Sequence, residues 1–290
     1  MRGHATTHRI RIIVTAVLVV GGLLSAVPAL AVGAGPDCSV GPSGTDYTTI
    51  QAAIDDITCE TIDVAPGYYP EHLSITPTNE RDLSIIGSGI GATVVDGTNT
   101  GQVLAFTSTA GTTLTLDQIS IVNGNDGSGS GGGIDVRGGT AILNDVEVAR
   151  SYGHGCGGGI FVYQGTLHSD YGLRVEENIA IFGGGVCAQE STVDLYGAAI
   201  ALNLSWSGDG GGINNIGPGG SFTITDTEVS GNTAEWIDAT GADIARGGGV
   251  YNRGDGTFAS YGGIIAGNAA GDSGGGVFNE GVMILDGTHM

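Results

Sequence analysis

The only two tryptophans of this 290-residue chain, Trp206 and Trp236, stand at matching places in a repeat. Trp206 follows Asn203 by three residues and Trp236 follows Asn232 by four, and the loop that carries Trp236 is ten residues longer than its neighbours. Acidic side chains accompany them: Asp209 near the first, and Glu235, Asp238 and Asp243 beside the second. An exposed indole stacks on the apolar face of a sugar ring, and carboxylates accept hydrogen bonds from sugar hydroxyls. Insertions on one face of a repeat protein are also where binding groups concentrate. The candidate ligand-binding residues are therefore Trp206, Asp209, Glu235, Trp236, Asp238 and Asp243, and the candidate ligand is a glycan. The alternative is that both rings pack over their own loops as a small satellite core, so that removing them costs the fold and not a ligand.

Other reactive groups form no complete set. His154 and Cys156 offer two metal ligands without a third or fourth, which falls short of a site. His168 and Asp170 align with apolar positions of other repeats, Val193 with Leu195 and Phe222 with Ile224. Either a buried His–Asp pair or a one-residue shift that turns Leu167 inward accounts for this, and the shift is the simpler. Carboxylates are abundant enough to hold calcium, but the nonapeptide pattern of calcium-binding β-rolls is missing. Calcium is the one cofactor the sequence leaves open, and no catalytic residue is assigned.

What must position these groups is a repeat. Six glycine triplets, Gly131–Gly133, Gly157–Gly159, Gly183–Gly185, Gly210–Gly212, Gly247–Gly249 and Gly274–Gly276, start 26, 26, 27, 37 and 27 residues apart. An aliphatic residue follows each: Ile134, Ile160, Val186, Ile213, Val250 and Val277. Between triplets, Asn178, Asn203, Asn232 and Asn268 each come three residues after an aliphatic, with Ser151 and Gly124 in the equivalent places. The intervening runs, such as 192–195 and 222–225, alternate with period two, which argues for strands. A coil of about 26 residues cannot bury its own inner face, but stacked coils can. The expectation is an all-β, right-handed parallel β-helix with three short strands per coil and about nine coils. Equivalent aliphatics stack at roughly 4.8 Å, and the four asparagines form a structural ladder. An up-and-down barrel would need hairpin turns that are scarce here.

The pattern Gly-Gly-Gly-Ile/Val-x-Asn, complete at Asn215, Asn252 and Asn279, followed by 229–234 or 265–270, resembles the repeats of polymorphic outer-membrane proteins. The first three triplets depart from it, with Val136, Val162 and Ala188 in place of Asn. The stretch 62–71 resembles the first coil of pectate-lyase-like folds. These resemblances imply a secreted or cell-surface β-helix and say little of chemistry. Lyases of this fold use carboxylates and calcium with an arginine base, and hydrolases use a pair or trio of aspartates. Arg81, Arg137, Arg150, Arg174, Arg246 and Arg253 match no lyase motif, and no Asp-Asp pair lies in the repeats.

Residues 1–31 read as a signal peptide: Arg2, Arg9 and Arg11, an apolar run from Ile12 to Leu24, and Ala29-Leu30-Ala31 at the cleavage point. A membrane anchor is the lesser reading, because the run is short of the ~20 residues a span needs. Cys38 and Cys59 read as a disulfide, and Cys156 and Cys187 as free thiols, since their places relative to their triplets differ by five residues, about 16 Å along a strand. Residues 46–57 read as an N-terminal capping helix with Ile50, Ala53, Ile54 and Ile57 on one face and Thr48 or Thr49 as the cap. Strands are expected at 61–64, 73–75, 83–86, 94–96 and 103–106. The last coil, ending at Met290, has no cap in the sequence; either the chain is a fragment or short gene product, or it associates end to end.

All nine basic residues are arginines, three of them within the first 31, so 30 acids face six arginines beyond the signal, a formal charge of −24. Nucleic acid is excluded as a natural partner, and so is insertion into a membrane after signal removal; glycan or a surface protein fits. The organisation expected is thus signal peptide 1–31, cap and first coils 32–125, and repeat coils 126–290 of the same β-helix without a C-terminal cap. The function expected is a non-catalytic, adhesin-like module. The alternative is a polysaccharide lyase or glycoside hydrolase, for which carboxylates and an arginine must converge on one face. A third option, an ice- or surface-binding array, needs a regular threonine ladder, of which Thr140, Thr166 and Thr192 are a fragment.

Overall fold

The computed structural model describes residues 37–290 apart from Ser128 and Asp238; the signal peptide expected at 1–31 lies outside the described residues. The chain winds into a parallel β-solenoid of about nine coils, with almost no helix. Among the described residues the strands form three parallel sheets of 16, eight and six strands, called here the bent, front and short sheets. The front sheet holds the residues after each glycine triplet. Its strands stack in the order Leu73–Ile75, Leu104–Thr107, Ile134–Arg137, Ile160–Tyr163, Val186–Gln189, Ile213–Ile216, Val250–Asn252 and Val277–Asn279. The first residues of these strands are in register, so one aliphatic column runs from Leu73 to Val277, fully buried up to Val250. Each such side chain contributes about 2 kcal/mol by leaving water.

The 16-stranded sheet is the bent one. In Thr113–Val122 and Thr140–Ala149 one long strand turns a corner at Gln118 and Asp145, both at positive φ. In later coils Gly172, Gly197, Asp226 and Gly262 occupy the corner, and the strand divides in two. Three sheets therefore agree with three strands per coil, with the second strand kinked.

Two rows of amides tie the coils together. Asn178 Nδ2 donates to Asn203 Oδ1 at 3.1 Å, Asn203 to Asn232 at 3.0 Å and Asn232 to Asn268 at 3.0 Å. Each Oδ1 also accepts the backbone N–H of the preceding rung, and the row continues backwards through Ser151 to the N–H of Gly124. A second buried row lies inside the front sheet: Asn215 donates to Asn252 at 2.8 Å and Asn252 to Asn279 at 2.7 Å. Its residues belong to the repeat motif, which by itself assigns them no role.

The triplet glycines are steric necessities. In Gly157–Gly159 the first residue has φ +73°, and a Cβ on the second would collide with the Ile179 carbonyl of the next coil. No other residue allows both the reversed turn and the close approach.

The capping helix is Ile50–Asp55, shorter than the expected 46–57. Thr49 caps it, accepting from Ala52 N–H, and both Glu71 oxygens accept the next free N–H groups, of Ile50 and Gln51. It stops because Asp56 takes the Thr58 N–H and the Arg81 guanidinium takes the carbonyls of Ile54, Asp56 and Cys59. Ile57 is consequently outside the helix and 66% exposed, while Ile50, Ala53 and Ile54 are buried as expected. The strands expected at 61–64, 73–75 and 83–86 are observed, and the next two fall at Thr93–Asp96 and Leu104–Thr107.

Cys38 and Cys59 form the expected disulfide, with Cα atoms 5.6 Å apart. Cys156 and Cys187 are also bonded, with Cα atoms 5.5 Å apart, which overturns the expectation of two free thiols. The five-residue offset does not run along a straight strand. It spans the glycine turn, whose first residue folds the chain back so that a Cβ on Gly183 would sit 3.0 Å from that of Cys187. A bulge between Gly153 and Cys156 also brings Cys156 level with Phe182, the residue before the next triplet.

Candidate functional site

The same turn builds the candidate site. The residue before each triplet and the second residue after it face one another across the bend. Successive coils therefore stack two columns along the outer side of the front sheet. One is Ser130, Cys156, Phe182, Asp209, Arg246 and Ser273; from Cys156 onward each carbonyl accepts the N–H of the preceding triplet. The other is Asp135, Phe161, Cys187, Asn214, Tyr251 and Phe278, in register. The Cys156–Cys187 bond links a residue of the first column to the next coil's residue in the second. Arg246 repeats this geometry: its guanidinium lies 5.2 Å from the ring centre of Tyr251 in its own coil and 4.7 Å from that of Phe278 in the next.

Around Arg246 the charges close on each other. Its backbone N–H and one terminal nitrogen donate to Asp209 at 2.8 and 3.2 Å, and the other terminal nitrogen donates to Glu280 at 3.0 Å. The Tyr251 hydroxyl accepts from Arg246 at 3.2 Å and donates to Glu280 at 3.0 Å. Burial, reinforced by the Glu280 bond, pushes the Tyr251 phenol up to about 12. Burial works against the Arg246 charge, but the Asp209 hydrogen bond and carboxylate outweigh it and hold Arg246 above its ordinary value. Neither group is placed to act as a base near neutral pH. What the arrangement offers is a rigid stack of Arg246 on two aromatic rings that are themselves 5.7 Å apart.

Arg246 and Tyr251 of this stack line an open cleft of about 320 Å³ together with Phe182, Asp209, Trp236, Arg253 and Glu280. Two of the residues expected from sequence, Asp209 and Trp236, line it. Trp206 does not: it is held beside Ala180 through its backbone N–H, and the residue is 42% exposed. Glu235 and Asp243 border a separate depression of about 150 Å³. Asp243 Oδ1 accepts the N–H groups of Trp236 and Ala245, so this carboxylate closes the long loop and sets the position of Trp236. Asp238 lies outside the described residues. Arg246, Tyr251, Glu280, Arg253 and Phe182 were not foreseen as site residues; the available signal was their place immediately around the triplets.

Elsewhere, Leu167 is buried and His168 points outward between Asp170 at 2.9 Å and Asp194 at 3.9 Å, as the one-residue shift implies. His154 packs edge-on against Tyr152, and the disulfide removes Cys156 as a partner thiolate. Among the described residues no three His, Cys, Asp or Glu side chains are grouped to hold a metal ion. The hydroxyl row on the bent sheet is longer than the sequence fragment, running through Thr113, Thr140, Thr166, Thr192, Ser221 and Thr257. Its neighbouring column, Ile142, His168 and Asp194, is irregular in size and charge.

No protein-family model matches the sequence, and no curated protein does. Among solved structures, the crystal structure of Escherichia coli YbhC aligns over 88% of this chain and 85% of its own, with 14% identity and a TM-score of 0.47. At that distance nothing about activity passes from one protein to the other.

Proposed function

We propose that this chain is an exported, adhesin-like β-helix module that binds glycan in the cleft between Trp236 and the Arg246–Tyr251–Phe278 stack, without cleaving it. The observation that carries this reading is the internal pairing of the cleft's reactive groups. Carboxylates and an arginine do converge on one face, the condition set for an enzyme. Yet Asp209 and Glu280 are spent on Arg246 and Tyr251, and both of these hold their protons through the neutral range. Meanwhile the half-exposed Trp236 and Phe182 rings and the Arg253 guanidinium, which bonds to no other described residue, face the opening. Flat apolar walls with a few fixed polar groups suit a sugar ring. Two closed disulfides suit an oxidising, extracellular setting.

The test is affinity electrophoresis against a panel of plant, algal and bacterial polysaccharides, with and without calcium, alongside assays for unsaturated products and new reducing ends. Retardation by a glycan without product, weakened about tenfold or more in Trp236→Ala, supports the proposal. Product from any substrate overturns it in favour of a lyase or hydrolase.

A further inference from the structure

The front face carries a second arginine that is oriented but not saturated. Arg137 ends the strand Ile134–Arg137, four strands from Val250–Asn252, or about 19 Å along the axis at the usual spacing. Its Nε donates to Asp135 Oδ2 at 2.9 Å, and its guanidinium lies 5.3 Å from the ring centre of Phe161, which stacks on Tyr163. Asp135 is only 8% exposed, and its other oxygen accepts no hydrogen bond from a described residue. Burial pushes this carboxyl up, while the neighbouring guanidinium pulls it down. Asp135 thus grips Arg137 by one edge. A guanidinium has five N–H donors. Here Nε uses one, the other four meet no acceptor among the described residues, and the side chain is 44% exposed. Beside them opens a cleft of about 400 Å³ lined by Ser108, Arg137, Gly138, Tyr163 and Gln164.

Arg81 and Arg246 show how this chain satisfies an arginine from within. Arg81 gives all three nitrogens to carbonyls, and Arg246 gives both terminal nitrogens to carboxylates. Arg137 is the positioned arginine whose fork faces a cleft instead. A planar fork with its terminal nitrogens free matches two oxygens of a carboxylate or sulfate, and the contact is charge-assisted. We infer that the Arg137 cleft is an oxyanion-binding site that takes a carboxylate or sulfate group of a ligand, with Asp135 and Phe161 as the positioning residues. Glu190 is at the rim, where it holds the Gln164 amide at 2.9 Å, and its charge opposes an anion. The fit therefore rests on the fork's geometry and not on a positive field. The inference does not depend on the glycan cleft around Trp236.

The test compares retention of the protein on unmodified dextran, carboxymethyl-dextran and dextran sulfate at one ionic strength. The expected result is retention on an anionic gel over the neutral one, reduced roughly tenfold or more in Arg137→Gln, as befits a lost charged hydrogen bond. Arg137→Lys keeps a cation beside Asp135 and so guards against a folding defect; it is expected to lose most of the retention, because a point charge lacks the fork. Glu190→Gln is expected to strengthen it. Preference for the carboxymethyl gel assigns a carboxylate ligand, and preference for the sulfated gel a sulfate. Trp236→Ala should leave this retention unchanged, which separates the site from the proposed glycan cleft. No preference for either anionic gel, or equal retention of folded wild type, Arg137→Gln and Arg137→Lys, overturns the inference.

Discussion

Two stations of each coil obey opposite rules. At the turn between the bent and short sheets, coil after coil places the same residue: Asn178, Asn203, Asn232, Asn268. Before each triplet, coil after coil places a different one: Ser130, Cys156, Phe182, Asp209, Arg246, Ser273. Both stations are stacked at the same spacing by the same backbone. In these four coils the asparagine, buried except at the partly exposed Asn268, satisfies the same N–H and carbonyl groups, while the two coils before them place Ser151 and Gly124 there. The station before the triplet lies along the outer side of the front sheet, where the backbone accepts side chains of very different kinds, the disulfide-bonded Cys156 and the buried Asp209 among them. Repetition here marks what holds the fold, and departure from repetition marks where function can be written.

The contrast orders the expected effects of substitution. Asn203→Ala breaks four buried hydrogen bonds and should cost about 4 kcal/mol, measured as a lowered denaturation midpoint. If it costs no more than an outward substitution, the ladder is not structural. Replacing Cys156 and Cys187 together by serine should cost roughly 3 to 4 kcal/mol, because the bond closes a loop of 31 residues, and denatured wild type should present no thiol to a labelling reagent. Trp236→Ala should abolish glycan retention with a stability change within about 1 kcal/mol, and Trp206→Ala should alter neither much. The equivalence of the Cys156–Cys187 and Arg246–Phe278 relations is itself open to trial: Cys at both 246 and 278 should oxidise to a disulfide, visible as one extra bond by mass spectrometry.

The smallest effect concerns pH. The folded Tyr251 phenol sits at about 12, above its ordinary value of 10, so its contribution to stability is complete below pH 10 and fades as pH rises toward 12. Tyr47, Tyr68, Tyr69 and Tyr171 are raised as well, so they too add stability that is lost on the alkaline side of their ordinary value. Tyr251→Phe should therefore flatten the alkaline loss of stability only in part, and a melting series across that range checks it.

The same contrast explains what could be read from the chain. The coil, the aliphatic column from Ile134 to Val277 and the Asn178–Asn268 ladder were legible because each is a period. Thr49 as a cap and the Cys38–Cys59 bond were legible because they are local. The disulfide between Cys156 and Cys187 was misread because the glycine turn was treated as a length of strand, when its positive φ brings residues five apart face to face. The same error hid Arg246 opposite Tyr251. Asp209 and Trp236 line the cleft and Trp206 does not, because spacing from the ladder locates a loop but not which wall of it meets the front sheet. For Asp243, expected as a ligand group, the structure adds a local bond that spacing does not reveal: its Oδ1 closes the loop on Trp236.

The central claim is that the irregular outer face binds glycan through Trp236 and does no chemistry on it. Affinity electrophoresis of wild type and Trp236→Ala on the polysaccharide panel, with product assays on the same mixtures, tests it most directly. The account predicts a retarded wild type, an unretarded but folded variant, and no unsaturated or reducing product. Release of product, or equal retardation of both proteins by every glycan that binds, contradicts it.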